Sequence, residues 1–444
     1  MEERKHRRRP AASRRGARLS RSGHDGLKRG AGRAEPARPR RGCWEEPMKK
    51  KLAAFAGLAA LAGALCSSAA MAQEEIKVGL LLPYKGVFAQ LGEDIDRAWE
   101  LALEQRGGMA AGRKIVLVKA DTEADPTVGV RVANRLIRSD GVDVLAGTVS
   151  SAVALAVSDL SKRTKTPLVL ALAVADELNA ENCHPYAIRS GFSAHALQEG
   201  SGAYWANELQ DKTAVTLGPD YAAGRAMIRG FVDGFTANGG TVKDQYWTVF
   251  RQTKDWGPVY AKAKDSGAAM VYAWYAGAES IQAVKQHAEF GLQDTMPLRG
   301  DQWLYDSALW SAMGKDTVLG ARYATVYTSA AGTPASDAFV KAYSEKYGMV
   351  PNVTAGLGYD NALAVLDGIE AVKGDVSDGK AYVDAIRGLT IDAPRGRITF
   401  SDANSAQLEK LYLVEVAEEG GKLVEKLVKT IEPGKDLPGC KMDG

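Results

Sequence analysis

Ser150 and Ser151 are the side chains of this 444-residue chain best placed to hold a reactive or charged group. They follow an apolar, β-branched run at residues 142–146 that breaks at Gly147, and they precede an Ala/Val/Leu pattern of helical period. A strand, a polar turn and a helix start bring two hydroxyls and the unpaired N–H groups of a first helical turn to one spot. That spot suits an anion such as a carboxylate. For the stretch taken alone, a plain N-cap is the commoner arrangement.

Other reactive constellations are thinner. Ser151 with His184 or His195 would make a serine hydrolase pair, yet no G-x-S-x-G elbow surrounds the serine. Asp121, Glu123 and Asp125 line up as a cation loop but lack the glycine and terminal glutamate of an EF-hand, and Asp125-Pro126 reads as a turn and helix start. There is no G-x-G-x-x-G opening the first helix, no Walker loop and no H-E-x-x-H. His184, His195 and His287 have no Cys or His neighbour at metal-ligand spacing. No cofactor and no metal are therefore expected.

The elements that must position these groups alternate between strand-like and helix-like from Ile76 onward, which predicts an α/β fold with parallel sheets. Strands are expected at 76–82, 115–120, 142–146 and 168–173, with helices at 93–106, 127–138 and from 151. The loops after strands one, three and four then share one rim, where open α/β sheets bind ligands. A second unit repeats the pattern with strands at 213–217, 245–250, 268–275 and 320–326 and helices at 225–238 and 278–290. Residues 299–303 read as a loop facing a cleft. Helices return at 335–347 and 355–371, and a strand pair is expected at 396–400 and 411–417.

Residues 1–47 carry 15 Lys/Arg against 6 Asp/Glu without apolar periodicity, and read as a non-native or disordered basic extension. Met48 opens a better start. Three lysines, an apolar stretch too short to span a bilayer at 52–65, and Ala70-Met71-Ala72 describe a signal peptide over 48–72, cleaved after Ala72 for delivery to the periplasm. Without these segments 39 basic and 48 acidic residues remain, so the net charge of +3 becomes −9 and the case for nucleic acid disappears. Cys183 and Cys440 survive such processing and form either one disulfide or two free thiols. The remaining 372 residues exceed one ordinary core, and two lobes are expected.

Four stretches then resemble a known family. Lys77-Val78-Gly79-Leu80-Leu81-Leu82-Pro83 with Gly92 before a helix, Asp121-Thr122-Glu123-Ala124-Asp125-Pro126, Ala146-Gly147-Thr148-Val149-Ser150-Ser151 and Gly358-Tyr359-Asp360-Asn361-Ala362 are similar to the leucine/isoleucine/valine-binding protein family. Its members are type I periplasmic solute receptors of ABC importers. The resemblance implies two Rossmann-like lobes with parallel-rich sheets, joined by hinge crossings near 188–192, 323–326 and 394–400. Lobe 1 would comprise 73–190 and 325–396, lobe 2 would comprise 191–324 and 397–430, and 431–444 would be a tail. It also implies a monomer without enzymatic activity, whose closure on a ligand signals a membrane permease.

By the same resemblance the ligand-carboxylate hydroxyl falls on Ser151 with Ser150 beside it, the backbone donors on Ala173 and Val174, and an aromatic lid on Tyr221. Tyr84 and Phe88 belong to the first loop of the rim. Leu91 stands where amino-acid binders often carry Tyr, and Val174 where a hydroxyl would help hold a polar head group. The acid that would meet a ligand ammonium falls on Asp301 or Gln302. Gln at that place would leave an ammonium unpaired, at a cost on the order of a few kcal/mol. Phe88, Tyr221, Trp274, Tyr275 and Trp303 would form an aromatic wall, with core packing an equal reading for Trp274. A branched-chain or other aliphatic amino acid is the first expected ligand and an aromatic carboxylate of benzoate type the second. A serine hydrolase and a sensor-linked ligand-binding protein are the readings from other classes.

Overall fold

The computed structural model describes residues 75–402, 404–437 and 440. The expected basic extension, the signal peptide and residues 441–444 lie outside them.

The strand β1 (Ile76–Leu82) is apolar on both faces and sits inside a six-stranded sheet, as a strand covered by helices on both sides must. Along the chain follow α1 (Ala89–Gln105), β2 (Met109–Ala110), β3 (Arg113–Asp121), α2 (Pro126–Arg135), β4 (Val144–Gly147), α3 (Ser151–Thr164), β5 (Leu168–Leu170) and β6 (Ala187–Arg189). The sheet order is β2-β3-β1-β4-β5-β6, parallel throughout except for the β2/β3 edge. Val78, Leu80 and Leu82 pack toward Ile95 and Trp99 of α1. Leu81, Leu145 and Leu168 pack toward Val132 and Val153 of α2 and α3. Gly92 lies within α1, and a Cβ there would meet the Pro83 carbonyl oxygen at 1.9 Å, so this glycine lets the helix close on the strand end.

After Arg189 the chain crosses into a second lobe. It forms α4 (Ala194–Glu208), β7 (Thr213–Pro219), α5 (Ala222–Ala237), β8 (Thr241–Thr248), α6 (Gly257–Asp265), β9 (Met270–Ala273), α7 (Ala278–Glu289), β10 (Leu298–Asp301) and β11 (Arg322–Thr325). Helix α4 has no counterpart in the sequence reading. It is buried on nearly all sides, so no one-sided apolar stripe marks it. Arg299, Gly300 and Asp301, expected in a loop, belong to β10. A polar strand of four residues gives no alternation to read.

The chain then returns through 326–333 to α8 (Pro334–Tyr347), α9 (Val353–Ala371) and α10 (Gly379–Arg387) on the first lobe. There Trp99 Nε1 donates to Asn361 Oδ1 at 3.0 Å. The hairpin β12 (Ile391–Ala393) and β13 (Gly396–Ile398) precedes a third crossing over 399–410, which runs beside β6 through an Arg189–Ser405 bridge. The last strands, β14 (Leu411–Glu419) and β15 (Lys422–Ile431), complete a seven-stranded sheet of order β15-β14-β11-β10-β9-β7-β8. The expected pairing of 396–400 with 411–417 is thus replaced: β13 pairs with the three-residue β12, and β14 with β11 and β15. Both true partners were unreadable, one too short and the other largely exposed and charged. Past β15 the tail runs along α4, with Gly434 N–H donating to the Ala196 carbonyl, and Cys440 is bonded to Cys183.

Candidate functional site

The carboxyl ends of both sheets face one cleft. From the first lobe it is lined by Phe88, Leu91, Val149, Ser151, Leu172 and Val174, and from the second by Tyr221, Ala223, Trp274, Ala276 and Trp303. The space enclosed, mouth included, is about 270 Å³, at the lower edge of the ~300–1,000 Å³ usual for small-molecule sites. Four of these side chains are aromatic and none is acidic or basic. The Tyr221 ring stacks on Phe250 with centroids 3.9 Å apart, Trp303 stacks on Phe192 at 5.7 Å, and Trp274 meets Trp303 edge-on at 6.2 Å. These backing rings fix the wall in place.

Ser151 supplies the directional chemistry. Its Oγ accepts the backbone N–H groups of Val174 (3.1 Å) and Ala175 (3.2 Å). With both lone pairs engaged, the hydroxyl hydrogen has only the role of donor left. Ser150 occupies the N-cap of α3, yet its side chain makes no capping bond, and its buried hydroxyl has no partner among the described residues, like that of Thr148 and the indole N–H of Trp303. Ser151 and the Trp303 indole can therefore only donate, whereas the hydroxyls of Ser150 and Thr148 can donate or accept.

Of the residues expected at the site, Phe88, Ser151, Val174, Tyr221 and Trp274 line the cleft, with Ser150 at the adjoining helix cap. The others are placed elsewhere. Tyr84 packs its hydroxyl into a buried position near Asp96 and Asp121, and burial together with those carboxylates raises its pKa far above the usual phenol range. Tyr275 points through the opposite face of the second sheet, bonding Thr248 Oγ1 at 3.0 Å, because successive residues after β9 alternate between faces. Ala173 is buried behind the cleft, flanked by Leu172 and Val174 that do line it, and the Val174 amide expected to serve the ligand donates to Ser151 instead.

Neither candidate ammonium partner reaches the cleft lining. Asp301 is wholly buried; its Oδ1 accepts the Trp303 N–H at 3.0 Å and its Oδ2 the Gln198 Nε2 at 2.8 Å. Burial pushes its carboxyl up to about 7 despite those bonds. Gln302 uses Oε1 to accept the Val326 N–H at 2.7 Å. The hydrolase pairing is absent as well: His184 Nδ1 accepts the Tyr186 N–H, its Nε2 bonds Ser158 at 2.9 Å, and His195 Nδ1 bonds the Lys435 carbonyl.

Contacts across the cleft were not foreseen. Arg229 on α5 pairs with Asp176 beyond β5, and Arg251 reaches Asp125 Oδ2 at 3.7 Å. Gly277 lies against the first lobe so closely that a Cβ would sit 2.0 Å from the Val87 carbonyl oxygen, and its φ of +62° favours glycine independently. Pairs formed between the two lobes leave no periodicity in the sequence, so only the folded juxtaposition reveals them.

Two α/β lobes meeting over an aromatic cleft, with the Ser151 hydroxyl in its wall, define a ligand-binding receptor. The chain belongs to the periplasmic binding protein family, whose sequence profile matches residues 75–422. Members of this family are solute-binding receptors of ABC transporters, not enzymes. The Leu/Ile/Val-binding protein homolog 6 of Brucella melitensis is 27% identical over 386 residues, covering 85% of this chain and 96% of its own. Among solved structures, an ABC-transporter solute-binding protein of R. palustris in complex with benzoate is 32% identical, with a TM-score of 0.76 over 83% of this chain and 100% of that one. A second, from Rhodopseudomonas palustris BisB5 in complex with 3,4-dihydroxybenzoic acid, is 28% identical, with a TM-score of 0.76 over 82% and 98%.

Proposed function

We propose that this receptor binds an aromatic carboxylate of benzoate type and delivers it to an ABC permease. The observation that carries the reading is the polarity of the cleft: Ser151 has only its hydrogen to offer, and no acid lines the site. A carboxylate matches that donor, and a flat ring matches the wall of Phe88, Tyr221, Trp274 and Trp303. The α-ammonium of an amino acid would enter without a carboxylate to meet it, because Asp301 is turned beneath the cleft and Gln302 is bonded to the backbone. The relatives solved with benzoate and 3,4-dihydroxybenzoic acid support the same class.

An aliphatic amino acid is the second reading, favoured by the Leu/Ile/Val-binding homologs of Brucella. The order expected from sequence is thereby reversed. The receptor acts as a monomer in the periplasm after removal of residues 48–72, and lobe closure over the ligand presents it to the permease. No helix among the described residues is long and apolar enough to cross a membrane. Calorimetric titration with benzoate and with leucine tests the assignment.

A further inference from the structure

We propose that Arg189 is a positioning residue that sets the site's preference for anions, acting on Ser151 through the peptide group between Ala173 and Val174. The proposal rests on the reading that the ligand presents a carboxylate to Ser151.

Arg189 ends β6 at the hinge and is 1% exposed. Its Nη1 donates to the carbonyl of Ala173 at 3.0 Å and more loosely to that of Ala175 at 3.4 Å, while Nε donates to Ser405 Oγ at 3.2 Å. The Ala173 carbonyl and the Val174 N–H belong to one peptide group, and that N–H donates to Ser151 Oγ at 3.1 Å. Guanidinium, peptide, hydroxyl and ligand oxygen therefore form a chain in which every donor points toward the ligand. Each bond polarises the next in the same direction. The result is a more acidic hydroxyl hydrogen at Ser151 than an isolated serine presents.

The charge at the head of this chain has no carboxylate in direct contact among the described residues, and Asp436 and Asp176 stabilise it only from beyond ion-pair distance. No carboxylate bonds Arg189, and its Nη2 makes no hydrogen bond to the described residues. Of the two acids whose charge reaches it, Asp176 is ion-paired with Arg229, while Asp436 accepts from the neutral hydroxyls of Ser193 and Ser401 and keeps its charge. Burial lowers the Arg189 pKa to about 10, which leaves it protonated at neutral pH. A buried cation whose hydrogen bonds all go to neutral oxygens is costly, and Asp436 and Asp176 offset only part of that cost, since the pKa still falls on burial. A carboxylate at the far end of the chain offsets that cost, whereas a neutral ligand does not and an ammonium adds to it.

The test is a calorimetric comparison, on the processed full chain, of benzoate with its neutral isostere benzamide in wild type, Arg189→Lys, Arg189→Met, Ser151→Ala and the Arg189→Lys/Ser151→Ala double variant. Benzoate affinity should fall ~10-fold or more in the Arg189 variants and benzamide affinity by less than ~3-fold, and the double variant should lose less than the sum of the single losses. Equal loss for both ligands, or strict additivity, overturns the proposal in favour of a merely structural arginine. If the Arg189 variants lose their cooperative melt, Ser405→Ala, which removes the Nε partner, must still weaken benzoate more than benzamide, and an unchanged ratio overturns it. If wild type binds leucine and not benzoate, the ligand reading fails alone, and leucine against leucinamide puts the same question to Arg189.

Discussion

The guanidinium of Arg229, carried by the second lobe, is ion-paired with Asp176 of the first. Asp176 is 3% exposed and Arg229 54%, so the pair sits at the mouth with its acid already inside. An ion pair that exists only when the lobes meet favours the closed state and, through it, the bound ligand. Exposed pairs contribute little, but removing the arginine strands a buried carboxylate. Arg229→Ala should cost about 1–2 kcal/mol of closure, which weakens ligand binding ~5- to 30-fold. Thermal stability of the unliganded protein should change little. An unchanged Kd places the pair outside the closing equilibrium.

A second inter-lobe link titrates. Asn352 Nδ2 donates to Asp94 Oδ2 at 2.9 Å and to Asp306 Oδ1 at 2.8 Å, so one amide joins carboxylates of both lobes. Burial, then the nearby Asp94 and to a lesser extent Glu425, push Asp306 up to about 7, while the Ala308 N–H and Asn352 pull the other way. Between the ordinary carboxylate range and pH 7 the folded protein holds a proton that the unfolded chain has released, so stability falls as pH rises through this window and levels above it. Asp301 and Asp360, also near 7, add slopes of the same sign. In Asp306→Asn the melting temperature should decline less between pH 5 and 8 than in wild type. Superimposable profiles would show that Asp306 is not the titrating group.

The disulfide joins residues 257 apart in sequence, tying the tail that leaves the second lobe to the first. Removing such a cross-link typically costs about 2–5 kcal/mol, by whatever balance of chain entropy and enthalpy. Reduction, or Cys183→Ser, should therefore lower the melting temperature under otherwise identical conditions. Thiol counting on the denatured, non-reduced processed chain should find no free cysteine; two free thiols contradict the pairing.

Much of the scaffold was legible because buried parallel strands are unbroken apolar runs, as in β1, and amphipathic helices repeat every three to four residues. Helix α4 was invisible for the opposite reason, being covered on almost every side. At the site, Ser151 stood out from its position after a strand and Tyr221 from the family resemblance, yet Trp274 and Tyr275 could not be told apart because their separation depends on the register of one short strand. Asp301 shows the deeper limit. Its type suggests a ligand partner, and only the fold shows its oxygens turned toward Gln198 and the Trp303 amide.

On the proposed function, the cleft selects a carboxylate on an aromatic body and has no place for an ammonium. Calorimetric titration of the processed protein with benzoate, and separately with leucine, isoleucine and valine, measures this directly. Benzoate should give saturable one-to-one binding and, at 100 times its Kd, stabilise the fold by about 2.7 kcal/mol, while the three amino acids give no heat beyond dilution. Saturable binding of leucine, isoleucine or valine with none of benzoate would contradict the account.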